Sequence, residues 1–300
     1  MSLAMSLALP PQFASRVRLR EPLSRHTSWH VGGPADVYFA PRDRTDLVEF
    51  LQALPPQVPV LWIGLGSNLL VRDGGVRGVV ISTRDALTAL ERRGEREVYA
   101  EAGVPCAKLA RQCARWDLGP AEFFTGIPGT VGGALAMNAG AFGGETWTAV
   151  RSIETVDRSG TVRVRAATEY EVSYRHVEAP ANDEWFLATT LHFPAGSSEE
   201  ATRALLERRR QTQPIGEWSC GSVFTNPPDD HAARLIEGCG LKGLRIGGAV
   251  VSTKHANFIL NEGAATARDI ESLIAKVQEQ VERLQGMRLN PEVRIVGEAA

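Results

Sequence analysis

The chain has 300 residues, 43% of them hydrophobic and 23% charged, an ordinary globular composition long enough for one large domain or two to three small ones. Its 33 basic and 35 acidic side chains leave a formal charge of −2, so no global field holds nucleic acid or an anionic membrane, and an anionic ligand needs a local basic cluster. No apolar run reaches the ~18 residues of a bilayer span. Met1 to Leu9 carries no basic region ahead of its apolar residues, and Cys106, Cys113, Cys220 and Cys239 share neither C-x-x-C nor zinc spacing. A cytoplasmic protein with free thiols and no metal is expected.

Residues 1–22 read as a loose arm broken by Pro10, Pro11 and Pro22. Val37 to Ala40 predicts a strand, then Thr45 caps a helix through Leu54 with Asp46 in its first turn. Val60 to Ile63 and Val79 to Ile81 read as short buried strands. From residue 84, Val98 to Ala102 predicts a strand and Pro105 to Trp116 a helix with proline near its first position. Val150 to Val156 and Thr161 to Val164 alternate around Asp157-Arg158-Ser159-Gly160, a hairpin signal, and Phe186 to Phe193 is a further strand. Ser197-x-x-Glu200 opens a basic helix ending at Arg208-Arg209-Arg210, with Pro214 as its stop. A helix over His231 to Glu237 follows. Thr266 to Leu284 is the clearest helix, capped by Thr266-x-x-Asp269 and ended by Gly286. Val293 to Val296 closes the chain as a strand.

Neither G-x-G-x-x-G nor G-x-x-x-x-G-K-[ST] occurs, which disfavours a Rossmann site and a P-loop. Gly64-Leu65-Gly66-Ser67-Asn68-Leu69 follows an apolar strand and reads either as a phosphate cradle or as a tight turn. Between Thr125 and Glu145, seven glycines sit among apolar residues. Glycine costs about 1 kcal/mol against alanine in a regular element, so backbone laid against a flat ligand is the favoured reading over a linker. Taken singly, Ser222 reads as a turn serine, Arg175 as a surface arginine and Glu292 as an exposed charge. Lys254-His255 lies between apolar runs, where a buried basic pair needs an anionic partner.

As an ordered set these motifs resemble the UDP-N-acetylenolpyruvoylglucosamine reductase (MurB) family of peptidoglycan synthesis. The residues are His26 to Gly33, Gly64 to Leu70, Thr125 to Gly144, Tyr174-Arg175, Gly221 to Phe224, Leu241-Lys242-Gly243 with Ile246 to Gly248, Ser252 to His255, and Pro291 to Arg294. The resemblance implies an α+β fold: a two-part FAD-binding fold of the vanillyl-alcohol-oxidase/PCMH type plus a C-terminal α/β substrate domain. The implied division is an arm at 1–22, FAD-binding parts at 23–83 and 84–196, and a substrate part at 197–300 whose last strand returns to the first part. The short interval between Tyr174-Arg175 and Ser222 is similar to the family's shorter subclass.

The implied activity is that of an oxidoreductase: NADPH reduces FAD, and the flavin then reduces a UDP-sugar enolpyruvyl ether at the same place. By resemblance Ser222 donates the proton, with Arg175 and Glu292 partnering the enolate and carboxylate. FAD is expected at Gly64, Gly66, Ser67, Asn68, Leu69, Gly126, Ile127, Pro128, Gly129, Val131, Gly132, Gly133, Asn138, Gly140 and Ala141. Substrate is expected at Tyr174, Asn226, Lys254 and His255. No metal, nucleic acid or membrane partner is implied, and a monomer is expected. Thr212 stands where the family often has a phosphate-contacting lysine, which leaves a neighbouring arginine as the alternative. A flavin oxidase of the same fold and a flavin-free nucleotide-sugar binder are the competing readings.

Overall fold

The computed structural model describes residues 9–196 and 199–300, so the expectations for Met1 to Ala8 and for a cap at Ser197 lie outside the described residues. The chain divides into two units: residues 1–19, 37–65 and 78–208, and residues 20–36, 66–77 and 209–300.

The first unit carries two cores. One lies against a 4-stranded sheet in the order Val17–Pro22, Pro34–Phe39, Val76–Ser82, Val60–Ile63, of which residues 17–19, 37–39, 78–82 and 60–63 belong to this unit. Val60–Ile63 pairs parallel with Val79 to Ser82, and the connection runs through neither a hairpin nor a tight turn. The helix Arg44–Ala53 packs Leu47, Phe50 and Leu51 into this core. Its cap is Asp43 rather than Thr45: Asp43 Oδ1 accepts from Asp46 N–H at 2.9 Å. Asp46 is itself buried, its carboxylate held by Arg16 Nη2 at 2.7 Å and Arg42 N–H at 2.9 Å.

The loose arm is also corrected. Pro11–Phe13 forms a 3-10 turn, and Val17–Pro22 is a strand at the sheet edge, where its terminal proline removes no ladder bond. Phe13 is fully buried, edge-on to Phe39 at 5.9 Å and to Phe50 at 5.3 Å. Burying an aromatic ring outweighs the local break imposed by the prolines.

The other core of this unit lies on a 5-stranded sheet in the order Val162–Ala166, Val150–Asp157, Glu184–His192, Glu97–Glu101, Leu90–Arg93, antiparallel throughout. Leu90–Arg93 escaped the sequence reading because three of its four residues are charged and exposed. Asp157 organises the expected hairpin turn, accepting at Oδ1 from Ser159 N–H (2.8 Å) and Thr161 N–H (3.0 Å). The helix Cys106–Arg115, with Pro105 as its cap, buries Cys106, Leu109, Ala110 and Cys113. Burial pushes the Cys113 thiol up to about 12, so it stays protonated.

The second unit has one core, built around the helix Ala267–Gln285. Thr266 and Asp269 close a reciprocal capping box, and Gly286 ends the helix in the left-handed conformation, as the sequence predicts. Ile270, Leu273, Ile274, Val277 and Val281 face the core. A sheet of Arg245–Ile246, Ala249–Val251 and Ile259–Asn261 and the helix Ala232–Gly238 complete it. The last strand, Arg294–Val296, pairs parallel with Leu69–Val71. No helix among the described residues is long and apolar enough to cross a membrane.

Candidate functional site

In the first unit the glycine-rich stretch forms a turn of 3-10 helix (Glu122–Gly126), a short helix (Val131–Ala136) and the strand pair Gly140–Ala141 and Gly144–Glu145. Part of its glycine content has an internal cause. A Cβ at Gly126 would lie 2.4 Å from the Ala141 Cβ, and one at Gly144 2.5 Å from the Phe123 ring. The first N–H groups of the short helix are also taken: Val131 donates to Val104 O, Gly132 to Ala102 O and Gly133 to Thr130 Oγ1. Their N–H groups are therefore not open to a ligand, and of the three only Gly133 is exposed, Val131 being fully buried. Ile127 is buried, whereas Pro128 and Gly133 are exposed; Gly129 bonds through its carbonyl to Cys106 N–H at 2.9 Å. Gly64 ends the strand Val60–Ile63 beside Thr130.

The hairpin Glu171–Ser173 and His176–Glu178, absent from the sequence reading, delivers Tyr174 and Arg175 to this stretch. Arg175 sits at the tip with φ +56°, in the left-handed region that arginine rarely occupies. Its Nη1 donates to the carbonyl of Asn138 at 3.2 Å and its Nη2 to that of Gly140 at 2.8 Å. The guanidinium also lies 4.9 Å from the ring centre of Tyr174, which is 46% exposed. The structure thus brings Tyr174, Arg175, Asn138, Gly140 and Ala141 together within one unit.

In the second unit three distant segments meet. Val223, next to Ser222, donates its N–H to Asn257 O at 2.9 Å, and its carbonyl accepts from Glu292 N–H at 2.8 Å. Asn68 Nδ2 donates to the carbonyl of Glu292 at 3.1 Å, and Arg294 N–H donates to the carbonyl of Asn68 at 3.1 Å. Ser222 and Glu292 are half-buried. The Cys220 thiol is raised well above its ordinary value, first by burial and then by the Glu292 charge, so the carboxylate lies close enough to be felt there.

Gly66 precedes this junction with φ +62°, and a Cβ on it would stand 2.0 Å from the carbonyl of His26, so only glycine fits. Its carbonyl accepts from Ser28 N–H at 3.2 Å, while the N–H groups of Gly66 and Ser67 donate to no group among the described residues. Two adjacent N–H donors with a half-buried serine hydroxyl fit a phosphate-bearing cofactor. Leu69 begins the strand paired with Arg294–Val296.

Asn226 is exposed, and its Oδ1 accepts from Ala232 N–H at 3.1 Å at the start of the helix Ala232–Gly238. The Lys254-His255 pair is not buried as a pair, which corrects the sequence reading. Lys254 is exposed, its ammonium donating to the carbonyl of Arg210; a four-carbon stem carries the charge into water. His255 is half-buried, edge-on to Phe258 at 4.8 Å, and its pKa is lowered by burial first and then by the Lys242 charge. A neutral imidazole needs no anionic partner. Beside Thr212, Arg209 is the least exposed of the arginine triplet and its Nε donates to Gln213 Oε1 at 3.1 Å.

The sequence reading missed Asn257. This residue is 4% exposed, with Oδ1 accepting from Phe224 N–H at 3.0 Å and Nδ2 donating to Phe224 O at 2.8 Å. Its signal was an asparagine in the run Ala256 to Ile259, where a polar side chain must be satisfied internally.

Residues 213–296 match the family described as UDP-N-acetylenolpyruvoylglucosamine reductase, C-terminal domain, and residues 35–165 match the FAD binding domain family. The chain is 60% identical to the UDP-N-acetylenolpyruvoylglucosamine reductase of Methylococcus capsulatus, over 93% of this chain and 92% of that protein. It is 58% identical to the protein of that name from Alkalilimnicola ehrlichii, over 93% and 94%. Among solved structures it is similar to the UDP-N-acetylenolpyruvylglucosamine reductase (MurB) of Thermus caldophilus, with 34% identity and a TM-score of 0.81, covering 94% of this chain and 99% of that one.

Proposed function

We propose that this chain, which belongs to the UDP-N-acetylenolpyruvoylglucosamine reductase family, is the FAD-dependent oxidoreductase that reduces UDP-N-acetylglucosamine enolpyruvate to UDP-N-acetylmuramate. The observation that carries this is 60% identity sustained over 93% of the chain. NADPH is the hydride donor in this reading, and the enzyme works as a cytoplasmic monomer in peptidoglycan synthesis. We assign residues 23–83 and 84–196 to flavin binding and 197–300 to substrate binding.

The backbone around Gly66 and Ser67 would hold cofactor phosphate, and the glycine-rich stretch from Gly126 to Ala141 would support the planar ring system. A bound FAD would supply the hydride chemistry, accepting from a nicotinamide and donating to the vinyl carbon of the substrate. The electron pair of the double bond then rests on the neighbouring carbon and its carboxylate. The Arg175 guanidinium and Glu292 are the partners of that enolate and carboxylate. The Ser222 hydroxyl gives its proton to the carbon; serine is a weak acid, and a carbon base is strong enough to take the proton when aligned with it. Tyr174, Asn226, Lys254 and His255 contact the sugar nucleotide, and the half-buried Arg209 takes the phosphate contact that Thr212 cannot make.

The test is a pair of anaerobic half-reactions on the purified protein. NADPH should bleach the flavin band near roughly 450 nm, a property of the cofactor, and UDP-N-acetylglucosamine enolpyruvate should restore it. Restoration no faster than oxygen alone achieves would refute the reading.

A further inference from the structure

Asn138 commits its whole side-chain amide inside the first unit. Nδ2 donates to Glu145 Oε2 at 2.9 Å and to the carbonyl of Ser173 at 3.1 Å, and Oδ1 accepts from Trp147 N–H at 3.1 Å. The residue is 2% exposed, with φ +44°. Its own carbonyl accepts from Arg175 Nη1, and the carbonyl of Gly140, two residues on, accepts from Arg175 Nη2. One residue therefore grips the hairpin at two places: the backbone at Ser173 and the guanidinium at Arg175. Glu145 stands opposite Gly140 in the short strand pair, so the residue that accepts from Asn138 also pairs through its backbone with the edge that receives the arginine.

We propose that Asn138 is a positioning residue for Arg175, holding the hairpin tip and the guanidinium at fixed places on the glycine-rich stretch. The inference rests on the reading of Arg175 as the partner of the enolate. The residue type follows from the geometry. The position needs two donors, one acceptor and a left-handed backbone, and asparagine alone supplies all of them without strain. Aspartate keeps the backbone and the acceptor, but loses both donors and sets a carboxylate against Glu145. Glutamine carries an extra methylene into a position only 2% exposed. A guanidinium released from its carbonyls retains its charge and loses its aim, and misplacement by about 1 Å costs about 10²-fold in rate.

The experiment is a double-mutant cycle read on the rate at which UDP-N-acetylglucosamine enolpyruvate reoxidises the NADPH-reduced flavin, with flavin content as the folding check. Asn138→Asp should slow this step about 10²-fold in the parent enzyme and add little in an Arg175→Ala background, because the group it aims is already gone. Adding Glu145→Gln to Asn138→Asp should recover part of the loss, since the glutamine amide donates to the new carboxylate and restores the bond with its polarity reversed. Equal slowing by Asn138→Asp in both backgrounds overturns the proposal while leaving the role of Arg175 intact. An Arg175→Ala variant that reoxidises at the parent rate overturns the reading of Arg175 itself. If Asn138→Asp fails to retain flavin, Glu145→Ala removes one acceptor of the same network. It should show a smaller loss in the same direction, again absent with Arg175→Ala, and its persistence there counts against the proposal.

Discussion

Asn257 holds Phe224 by both of its backbone polar groups, through hydrogen bonds of 3.0 and 2.8 Å made by one buried amide. Phe224 bridges antiparallel to Pro291 on one side, and the Asn257 side chain takes its own N–H and carbonyl, fixing the chain two residues after Ser222. Asn257→Ala leaves a buried N–H and a buried carbonyl without partners, at roughly 1–3 kcal/mol each. Urea unfolding should show that loss as a lower midpoint with an unchanged slope. An unchanged midpoint would mean that water or a shifted chain replaces the amide.

Ser222→Ala should leave flavin reduction by NADPH intact and block product formation from the enolpyruvyl substrate. The two half-reactions are measured separately by stopped-flow absorbance. Equal loss of both would show that the hydroxyl shapes the fold or the cofactor and does not deliver a proton.

Phe13→Ala removes a fully buried ring flanked by Phe39 and Phe50. The expected cost is about 3–5 kcal/mol, read by chemical denaturation. A cost near zero would restore the picture of residues 1–22 as a loose arm.

Thr266→Ala removes the hydroxyl that accepts from Asp269 N–H at 3.1 Å at the start of a 19-residue helix. A loss of about 1 kcal/mol is expected. Thr266→Ser should recover most of it, because serine presents the same acceptor.

His255 gives a pH dependence. Its folded pKa lies below the ordinary value of 6.5, chiefly through burial and secondly through the Lys242 charge, with Glu237 opposing. The unfolded chain therefore binds the proton first. The stability this group contributes is fully present above pH 6.5 and is lost as pH falls through the lower folded value. The thermal midpoint should decline over that interval in the parent protein. His255→Gln should flatten this part of the decline, and an identical profile would remove His255 as its source.

The long helix was legible because burial leaves a period in the sequence. Apolar residues from Ile270 to Val281 recur at helical spacing, and Thr266, Asp269 and Gly286 mark its ends by local chemistry alone. The hairpin around Asp157 was legible by its turn residues, with Asp157 accepting from Ser159 N–H and Thr161 N–H. Leu90–Arg93 and the hairpin bearing Arg175 were not, since exposed edge residues carry no apolar alternation. The start of the first helix was misread by two residues, because Asp43 and Thr45 are both competent caps and only the backbone shows which carboxylate or hydroxyl reaches the N–H of Asp46.

By itself the sequence determined which residues stand as candidates for the chemistry, an arginine, a serine and a glutamate in that order, and where the glycines gather. Tertiary structure alone decided what each of them touches. Arg175 lies on the carbonyls of Asn138 and Gly140, Glu292 pairs its backbone with Val223, and Gly66 is pressed against His26. These partners are 35 to 69 residues apart in the chain in all four cases, and no local propensity encodes such separations; only the packing that closes each unit does.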